Sequence, residues 1–241
     1  MTIIQWNCRG YRSNYGDLIN LIKYCSPECV CLQETILGDR IPHPPRGYFI
    51  YCFSPTNHPA PGNGLTLLVS NASSYLQVPL TTTLQAQAFV IGLRKSFTIC
   101  NIYISPNDDL SYYDIESLIN QLPTPFILAR GVNAKHPMWG SDNWSARESI
   151  CSSSGEPWHF ADEQWCKDPP SCKTNTLSAI DITICSSDLQ AELVWDVDGD
   201  LRGSDHYPII HGNITKHAVI RQKQYIIYKA NWTLFRGLTI I

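Results

Sequence analysis

The sequence has no apolar run that approaches the ~20 residues a membrane-spanning helix needs, so no membrane role is expected. It also lacks a strong charge of either sign, because the formal net charge is −3. A protein that grips nucleic acid with its whole surface is usually basic, so any nucleic-acid contact is expected to be local. Charged residues are only 16% of the 241 residues and hydrophobic residues are 44%, which predicts a sizeable core and excludes global disorder.

Neither a secretory leader nor a zinc site is expected from the sequence. A strand-like stretch begins at once over 2–7, so no signal peptide is expected. The chain has ten cysteines, but Cys8, Cys31, Cys100 and Cys185 lie in or beside apolar stretches, where a thiol behaves as a small buried hydrophobe. No matching Cys/His pairs stand at zinc-site spacing. We therefore predict free thiols and a reducing compartment, the nucleus or the cytoplasm.

The hydrophobic periodicity predicts strands and helices in mixed order. Strands are predicted at 2–7, 30–33, 48–52, 64–70, 86–93, 97–103, 126–129, 182–185, 192–197 and 207–213, and helices at 17–25 and 111–121. Three polar residues, Asn7, Glu34 and Asn133, each stand just past an apolar strand. A lone polar residue in such a place is more often a solvated turn residue, so only the recurrence of the pattern favours a shared site.

The stretch 203–210 has the residue types of a reactive site. A Gly-Ser turn delivers Asp205 and His206 to the start of a β-branched strand, and Asp181 stands at the start of another strand. A histidine with one carboxylate to orient it and another beside it can transfer a proton or hold charge on a phosphate. The alternative is that Asp205 caps a turn and His206 is a satisfied surface histidine. Tyr103, at the end of its strand, is likewise either a site hydroxyl or part of the core.

Six motifs follow one another along the chain: Gln5-Trp6-Asn7, Leu32-Gln33-Glu34-Thr35, Asn101-Ile102-Tyr103, Val132-Asn133-Ala134 with the trailing His136-Pro137-x-Trp139-Gly140-Ser141, Ser178-x-x-Asp181, and Ser204-Asp205-His206. In this order they resemble the motifs of the endonuclease/exonuclease/phosphatase superfamily, and within it those of the apurinic-like endonuclease domain of non-LTR retrotransposons (jockey-like elements). The trailing tail points to the mobile-element branch. The resemblance spans residues 1–215, and 216–241 resembles a linker toward a reverse transcriptase domain.

The resemblance implies an α/β fold, a DNase-like four-layer α/β sandwich in which two face-to-face mixed β-sheets are flanked by helices. It implies that the partner is DNA and that phosphodiester bonds are hydrolysed with Mg²⁺ or Mn²⁺ at one edge of the sheets. Glu34 would be the main metal ligand with Asn7 beside it, and Asp205 would lie near the metal and the leaving group. The other implied roles are phosphate contacts by Asn133, His206 and Tyr103, and the orientation of His206 by Asp181.

The sequence departs from the family pattern at its fourth motif. Where the family has Gly-Asp-Phe-Asn-Ala, this chain has Arg-Gly-Val-Asn-Ala over 130–134. Gly131 therefore stands where the family keeps the aspartate that positions or deprotonates the attacking water. Loss of a general base costs on the order of 10²–10⁴ in rate, so a severely impaired or inactive nuclease is predicted.

A second departure covers 142–177. This segment combines Ser, Pro, Trp and Cys without a 3.6-residue apolar stripe, and we predict that it is degenerate or shortened. Such a segment would leave one side of a sheet poorly covered.

Three functions stay open from the sequence. The first is a metal-dependent DNA endonuclease domain of a retroelement, made for target-site nicking and impaired by Gly131. The second is a catalytically inactive remnant that at most binds nucleic acid or a partner. The third is a phosphatase acting on small phosphoesters, since one fold hosts several chemistries. The retrotransposon-like tail at 136–141 argues against the third.

Overall fold

The computed structural model describes residues 1–38, 42–53, 64–92, 95–104, 112–132, 158–160 and 181–213. The strands in these ranges are β1 Thr2–Asn7, β2 Cys29–Gln33, β3 Tyr48–Phe53, β4 Leu65–Ser70, β5 Ser74–Val78, β6 Gln85–Gly92, β7 Phe97–Ile104, β8 Phe126–Val132, β9 Trp158–Phe160, β10 Asp181–Ser186, β11 Leu193–Val197 and β12 Ile209–Asn213. The helices are α1 Tyr15–Cys25, α2 Tyr112–Ile119 and the short α3 Ser187–Gln190.

The strands form two six-stranded mixed sheets. The first has the order β11-β12-β1-β2-β4-β3 and the second the order β5-β6-β7-β8-β10-β9. Each sheet contains a parallel pair, β1 with β2 and β7 with β8, while its other neighbours run antiparallel. A parallel pair needs a crossover connection, and α1 and α2 supply it in the two sheets. The carboxyl ends of each parallel pair therefore lie at one edge of their sheet.

Three apolar clusters hold the layers together. The middle cluster joins the facing sides of the sheets, with Ile3 and Leu67 from the first sheet against Phe89 and Ile127 from the second. An outer cluster packs α1 on the far side of the first sheet, and another packs α2 on the far side of the second. The order is therefore helix, sheet, sheet, helix. The predicted four-layer α/β sandwich is confirmed.

Helix α1 follows directly from its sequence. Leu18, Leu21 and Ile22 recur at i, i+3 and i+4 and are all buried on one face. Asp17 in the first turn and Lys23 in the last turn complement the helix dipole. Ser26 then adopts a left-handed conformation, φ 46°, and its N–H donates to the Ile22 carbonyl over 2.8 Å. This bond ends the helix and turns the chain into β2.

A buried amide pair locks the two sheets in register near the edge where the parallel strands end. The Gln33 Nε2 donates to Asn101 Oδ1 over 2.7 Å. The Asn101 amide in turn donates to the carbonyls of Leu32 and Thr66, over 3.1 and 3.2 Å. Asn101 is fully buried, so these bonds replace the water that its amide would otherwise need.

We expect Asn101→Ala to lower the free energy of unfolding by about 2–4 kcal/mol, because it leaves buried groups of Gln33, Leu32 and Thr66 without their partner. The measurement is urea unfolding followed by circular dichroism. Asn120→Ala removes the same side chain from an exposed position and should change stability by less than about 0.5 kcal/mol. Equal losses in both variants would contradict a locking role for Asn101.

Two strands of the second sheet were not predicted. β5 is an edge strand whose residues are mostly exposed, with Leu76 70% exposed, so it lacks the buried alternation that marks a strand. β9 lies inside the segment 142–177, which was predicted to have lost its regular structure. It pairs with β10 through Phe160 opposite Ile184 and extends the sheet by one short strand. The rest of 142–177 lies outside the described residues, as does 216–241.

The described helices are all too short or too polar to cross a membrane. The described cysteines are free, as predicted, and Cys8, Cys29, Cys31, Cys100 and Cys185 are buried. Burial raises the pKa of the Cys100 thiol from 9.0 to about 12, so it stays protonated and packs as a small apolar side chain.

Candidate active site

Two backbone hydrogen bonds join the segment that follows β1 to the end of β2 and the residue after it. The Cys8 N–H donates to the Gln33 carbonyl over 3.0 Å, and the Gly10 N–H donates to the Glu34 carbonyl over 2.8 Å. Arg9 and Glu34 both have left-handed backbones, with φ of 45° and 50°. A non-glycine residue in that region costs on the order of 1–3 kcal/mol and persists only where its surroundings fix it. The backbone of the two loops is therefore held in one conformation. This conformation sets the positions from which the side chains of Asn7, Arg9 and Glu34 project.

A row of hydrogen-bonded side chains crosses the edge where the two sheets meet. It runs from Tyr103 through Glu34, Asn7 and His206 to Asp181. The Glu34 Oε1 accepts from the Asn7 Nδ2 over 2.9 Å and from the Tyr103 hydroxyl over 3.1 Å. Tyr103 is 5% exposed and belongs to the second sheet, so this contact bridges the sheets. Within the described residues, Glu34 Oε2 makes no hydrogen bond.

His206 continues the row on the other side of Asn7. Its Nε2 lies 3.4 Å from Asn7 Nδ2, and its Nδ1 lies 2.7 Å from Asp181 Oδ2. The Asn7 amide nitrogen can only donate a hydrogen bond, so His206 Nε2 accepts it. In the neutral imidazole the proton is then on Nδ1, which donates to Asp181. The His206 and Asp181 side chains are 11% and 7% exposed. A buried carboxylate against the ring nitrogen fixes the imidazole orientation and stabilises its charged form.

The turn that carries His206 is anchored to β1 by two side chains. The Trp6 Nε1 donates to the His206 carbonyl over 3.1 Å, and the Ser204 hydroxyl donates to the Asn7 carbonyl over 2.6 Å. The His206 N–H donates to the Ser204 oxygen over 3.2 Å. Gly203 makes this turn with a φ of 81°, and a Cβ there would clash with the Asn14 Oδ1.

We expect Gly203→Ala to lower the free energy of unfolding by about 1–3 kcal/mol, because both the left-handed backbone and the Asn14 contact exclude a Cβ. The measurement is thermal unfolding followed by fluorescence. Gly199→Ala is the matched control, since a Cβ at Gly199 meets nothing within 4 Å. If the two variants melt together, the turn is not held in the conformation described.

Position 131 lies between two members of the row. Gly131 in β8 is the register partner of Tyr103 in β7 and of Asp181 in β10. Directly paired residues share a face of the sheet, so a side chain at 131 would stand between those of Tyr103 and Asp181. The glycine leaves that place without a carboxylate. Asp181 Oδ1, which is buried, has no hydrogen-bond partner in the described part of the chain.

Asp205 has a partner that the sequence did not suggest. Its Oδ2 lies 2.7 Å from the Arg9 Nη1, and the two side chains are 51% and 58% exposed. This ion pair lies at the rim of the row, beside His206. The predicted role of Asp205 near a metal stays a prediction.

The donor set suits a hard divalent cation at one position. Glu34 Oε2 is an uncommitted carboxylate oxygen, and Mg²⁺ is commonly held by one or two carboxylates while it keeps several waters. Asn7 turns its amide nitrogen to Glu34 and His206, and its Oδ1 accepts from the Arg9 N–H over 3.4 Å. No cluster of three or more His, Cys, Asp and Glu side chains that could hold a metal occurs among the described residues. Burial raises the pKa of the nearby Cys8 thiol to about 12, so in the absence of a metal it stays protonated.

The structure therefore brings together six of the predicted residues: Asn7, Glu34, Tyr103, Asp181, Asp205 and His206. Asn133 and the tail at 136–141 lie outside the described residues. Sequence reasoning missed the parts played by Arg9, Trp6 and Ser204. Trp6 and Ser204 adjoin predicted residues and Arg9 lies two positions after Asn7, and this proximity in sequence is the signal that could have found them.

Comparison with known proteins gives a consistent picture of the fold. Residues 97–210 match the family model described as "Endonuclease-reverse transcriptase". The endonuclease domain of TRAS1, a telomere-specific non-LTR retrotransposon, is similar in structure, with a TM-score of 0.70 at 20% identity over 92% of this chain and 99% of that one. No curated protein matches the sequence.

Two further solved structures share the fold. The Xenopus laevis APE2 catalytic domain has a TM-score of 0.64 at 15% identity, over 88% of this chain and 91% of that one. A 3′ phosphatase from Neisseria bound to a product DNA hairpin has a TM-score of 0.67 at 15% identity, over 88% of this chain and 99% of that one. The predicted resemblance to the endonuclease/exonuclease/phosphatase superfamily, and within it to retrotransposon endonuclease domains, is confirmed.

Proposed function

We propose that this chain is the divalent-metal-dependent DNA endonuclease domain of a retroelement, made to hydrolyse phosphodiester bonds in target-site nicking, and that Gly131 leaves it severely impaired. The observation that carries the proposal is the continuous hydrogen-bonded row at the joint sheet edge, formed by Tyr103, Glu34, Asn7, His206 and Asp181. Such a row gathers one carboxylate for a cation and several donors for a phosphate in one place.

The proposed roles follow from the chemistry of each residue and from its place in the row. Glu34 Oε2, with Asn7 beside it, would hold Mg²⁺ or Mn²⁺, and such an ion supplies charge neutralisation at the scissile phosphate. His206, in its charged form, would donate from Nε2 to a phosphate oxygen, and Asp181 would stabilise that charge. The Tyr103 hydroxyl would add a phosphate contact. Asn133 keeps its proposed phosphate contact on the strength of the family motif alone.

The same row lacks a group that could prepare the attacking water at position 131. Asp181 already serves the His206 Nδ1, and Asp205 already pairs with Arg9. Neither can take up a proton from water without giving up that partner. This supports severe impairment, and it also supports the alternative that the chain is a catalytically inactive remnant that binds nucleic acid or a partner.

The wider assignments rest on the relatives. DNA as the partner is supported by the fold shared with the TRAS1 endonuclease domain and with the DNA-bound Neisseria phosphatase. A fusion to a reverse transcriptase domain is supported by the family-model description. We retain the proposal that residues 1–215 form the nuclease domain and 216–241 a linker, in the nucleus or cytoplasm.

The test is a nicking assay on supercoiled plasmid with protein in excess over DNA. Residual nicking that needs Mg²⁺, stops on chelation and disappears in Glu34→Gln would support an impaired endonuclease. Plasmid binding without nicking above the Glu34→Gln background would favour the inactive remnant. Mg²⁺-dependent turnover of a soluble phosphomonoester in place of plasmid would contradict the endonuclease proposal.

A further inference from the structure

The rim of the candidate active site contains a fixed positive charge that the proposed function does not use. We propose that the Arg9 guanidinium is the resident cation of Asp205, so that the site binds one divalent ion, at Glu34, and Asp205 is not a metal ligand. This inference rests on the proposed function and refines it.

Hydrogen bonds of the two loops place the backbones of Arg9 and Asp205 close to each other. Arg9 is held between two inter-loop bonds, Cys8 N–H to the Gln33 carbonyl at 3.0 Å and Gly10 N–H to the Glu34 carbonyl at 2.8 Å. Asp205 directly follows Ser204 in the sequence, and the Ser204 hydroxyl donates to the Asn7 carbonyl at 2.6 Å. Both loops are thus tied to the end of β1, and their side chains meet at 2.7 Å.

The charges of the site divide in a way that singles out Glu34. Among the described residues, Asp181 faces the His206 imidazole at 2.7 Å and Asp205 faces the Arg9 guanidinium at 2.7 Å. Glu34 is bonded by neutral groups, the Asn7 amide and the Tyr103 hydroxyl. A divalent cation is therefore attracted to Glu34, whereas at Asp205 it would meet the positively charged Arg9 guanidinium.

The pair is suited to a mutational test because its contribution to folding is small. Arg9 and Asp205 are both more than half exposed, and an exposed ion pair adds little to stability. Variants at either residue should fold, which circular dichroism and thermal unfolding check. Lys95→Ala is the matched control, because Lys95 forms an exposed ion pair with Glu192 at 2.9 Å and precedes β7 at the end away from Tyr103.

The experiment is a titration of the full chain with Mn²⁺, in which electron paramagnetic resonance measures the free ion. The wild-type protein should bind one Mn²⁺ more than Glu34→Gln does. Asp205→Asn should keep that ion with an affinity within about twofold of wild type. Arg9→Ala should bind a second ion at Asp205, because the guanidinium that faced this carboxylate is gone. The double variant with Asp205→Asn should lose that gain, and Lys95→Ala should titrate as wild type.

Two results would overturn the inference: an Arg9→Ala titration that superimposes on wild type, or a tenfold or greater loss of the wild-type ion in Asp205→Asn. A different result would overturn the proposed function instead. If Glu34→Gln binds Mn²⁺ as wild type does, the ion is not at Glu34, whichever way Arg9→Ala behaves.

Discussion

Replacing Gly131 with aspartate should raise the rate of Mg²⁺-dependent plasmid nicking by about 10²–10⁴-fold, the contribution of one positioned general base. The register places residue 131 opposite Asp181 and beside Tyr103, on the face of the sheet that carries the row. A carboxylate there would stand between Tyr103 and Asp181, where we propose that the attacking water is prepared. The measurement is the single-turnover rate on supercoiled plasmid, compared with the wild-type protein in the same buffer.

The matched control is Gly131→Asn, which has nearly the same volume and hydrogen-bonding shape but accepts no proton. It should leave the rate at the wild-type level. Arg130→Gly can be added to Gly131→Asp to restore the family pattern more fully. If both variants fold and Gly131→Asp nicks no faster than Gly131→Asn, a missing acid at position 131 does not explain the proposed impairment.

The second large effect concerns the carboxylate that orients His206. In the Gly131→Asp background, Asp181→Asn should lower the nicking rate by about 10²–10⁴-fold. The amide cannot stabilise a charged imidazole across the 2.7 Å contact to His206 Nδ1, so the proposed positive charge of the ring loses its counter-ion. The measurement is the single-turnover rate across a range of pH.

A positioning role for Asp181 predicts more than a loss of rate. The rate of Asp181→Asn should begin to fall at a lower pH than that of its parent, because nothing then holds the proton on His206 as the pH rises. Asp188→Asn removes an equivalent charge from an exposed position in α3 and should leave the profile unchanged. An unshifted profile in Asp181→Asn would show that its effect is structural only.

Much of the fold followed from sequence pattern, because the two central parallel pairs are continuous apolar runs with clear ends. β1 and β2 are buried along almost their whole length, and the polar residues after them had to lie at an edge. β5 escaped prediction for the opposite reason. It sits at the sheet edge with its residues mostly exposed, so neighbouring strands and not its own pattern make it a strand.

The candidate site was predictable as a list but not as a geometry. The motifs supplied Asn7, Glu34, Tyr103, Asp181 and His206, since each belongs to a short run with a recognisable order. They could not show that the Asn7 amide nitrogen, rather than its oxygen, faces Glu34.

Nor could the motifs show that Asp205 reaches Arg9, because the two residues are 196 positions apart in sequence. Their contact depends on the left-handed backbone of Arg9 and on the turn before Asp205, which both lie at the end of β1. Long-range side-chain pairing of this kind is set by tertiary structure.

We propose that residues distant in sequence form one cation-binding site at the edge where the two sheets meet. Anomalous diffraction from crystals of the wild-type protein soaked in Mn²⁺ tests this proposal. A single strong peak is expected at bonding distance from the Glu34 carboxylate. A strong peak elsewhere on the chain, with none at Glu34, would contradict it.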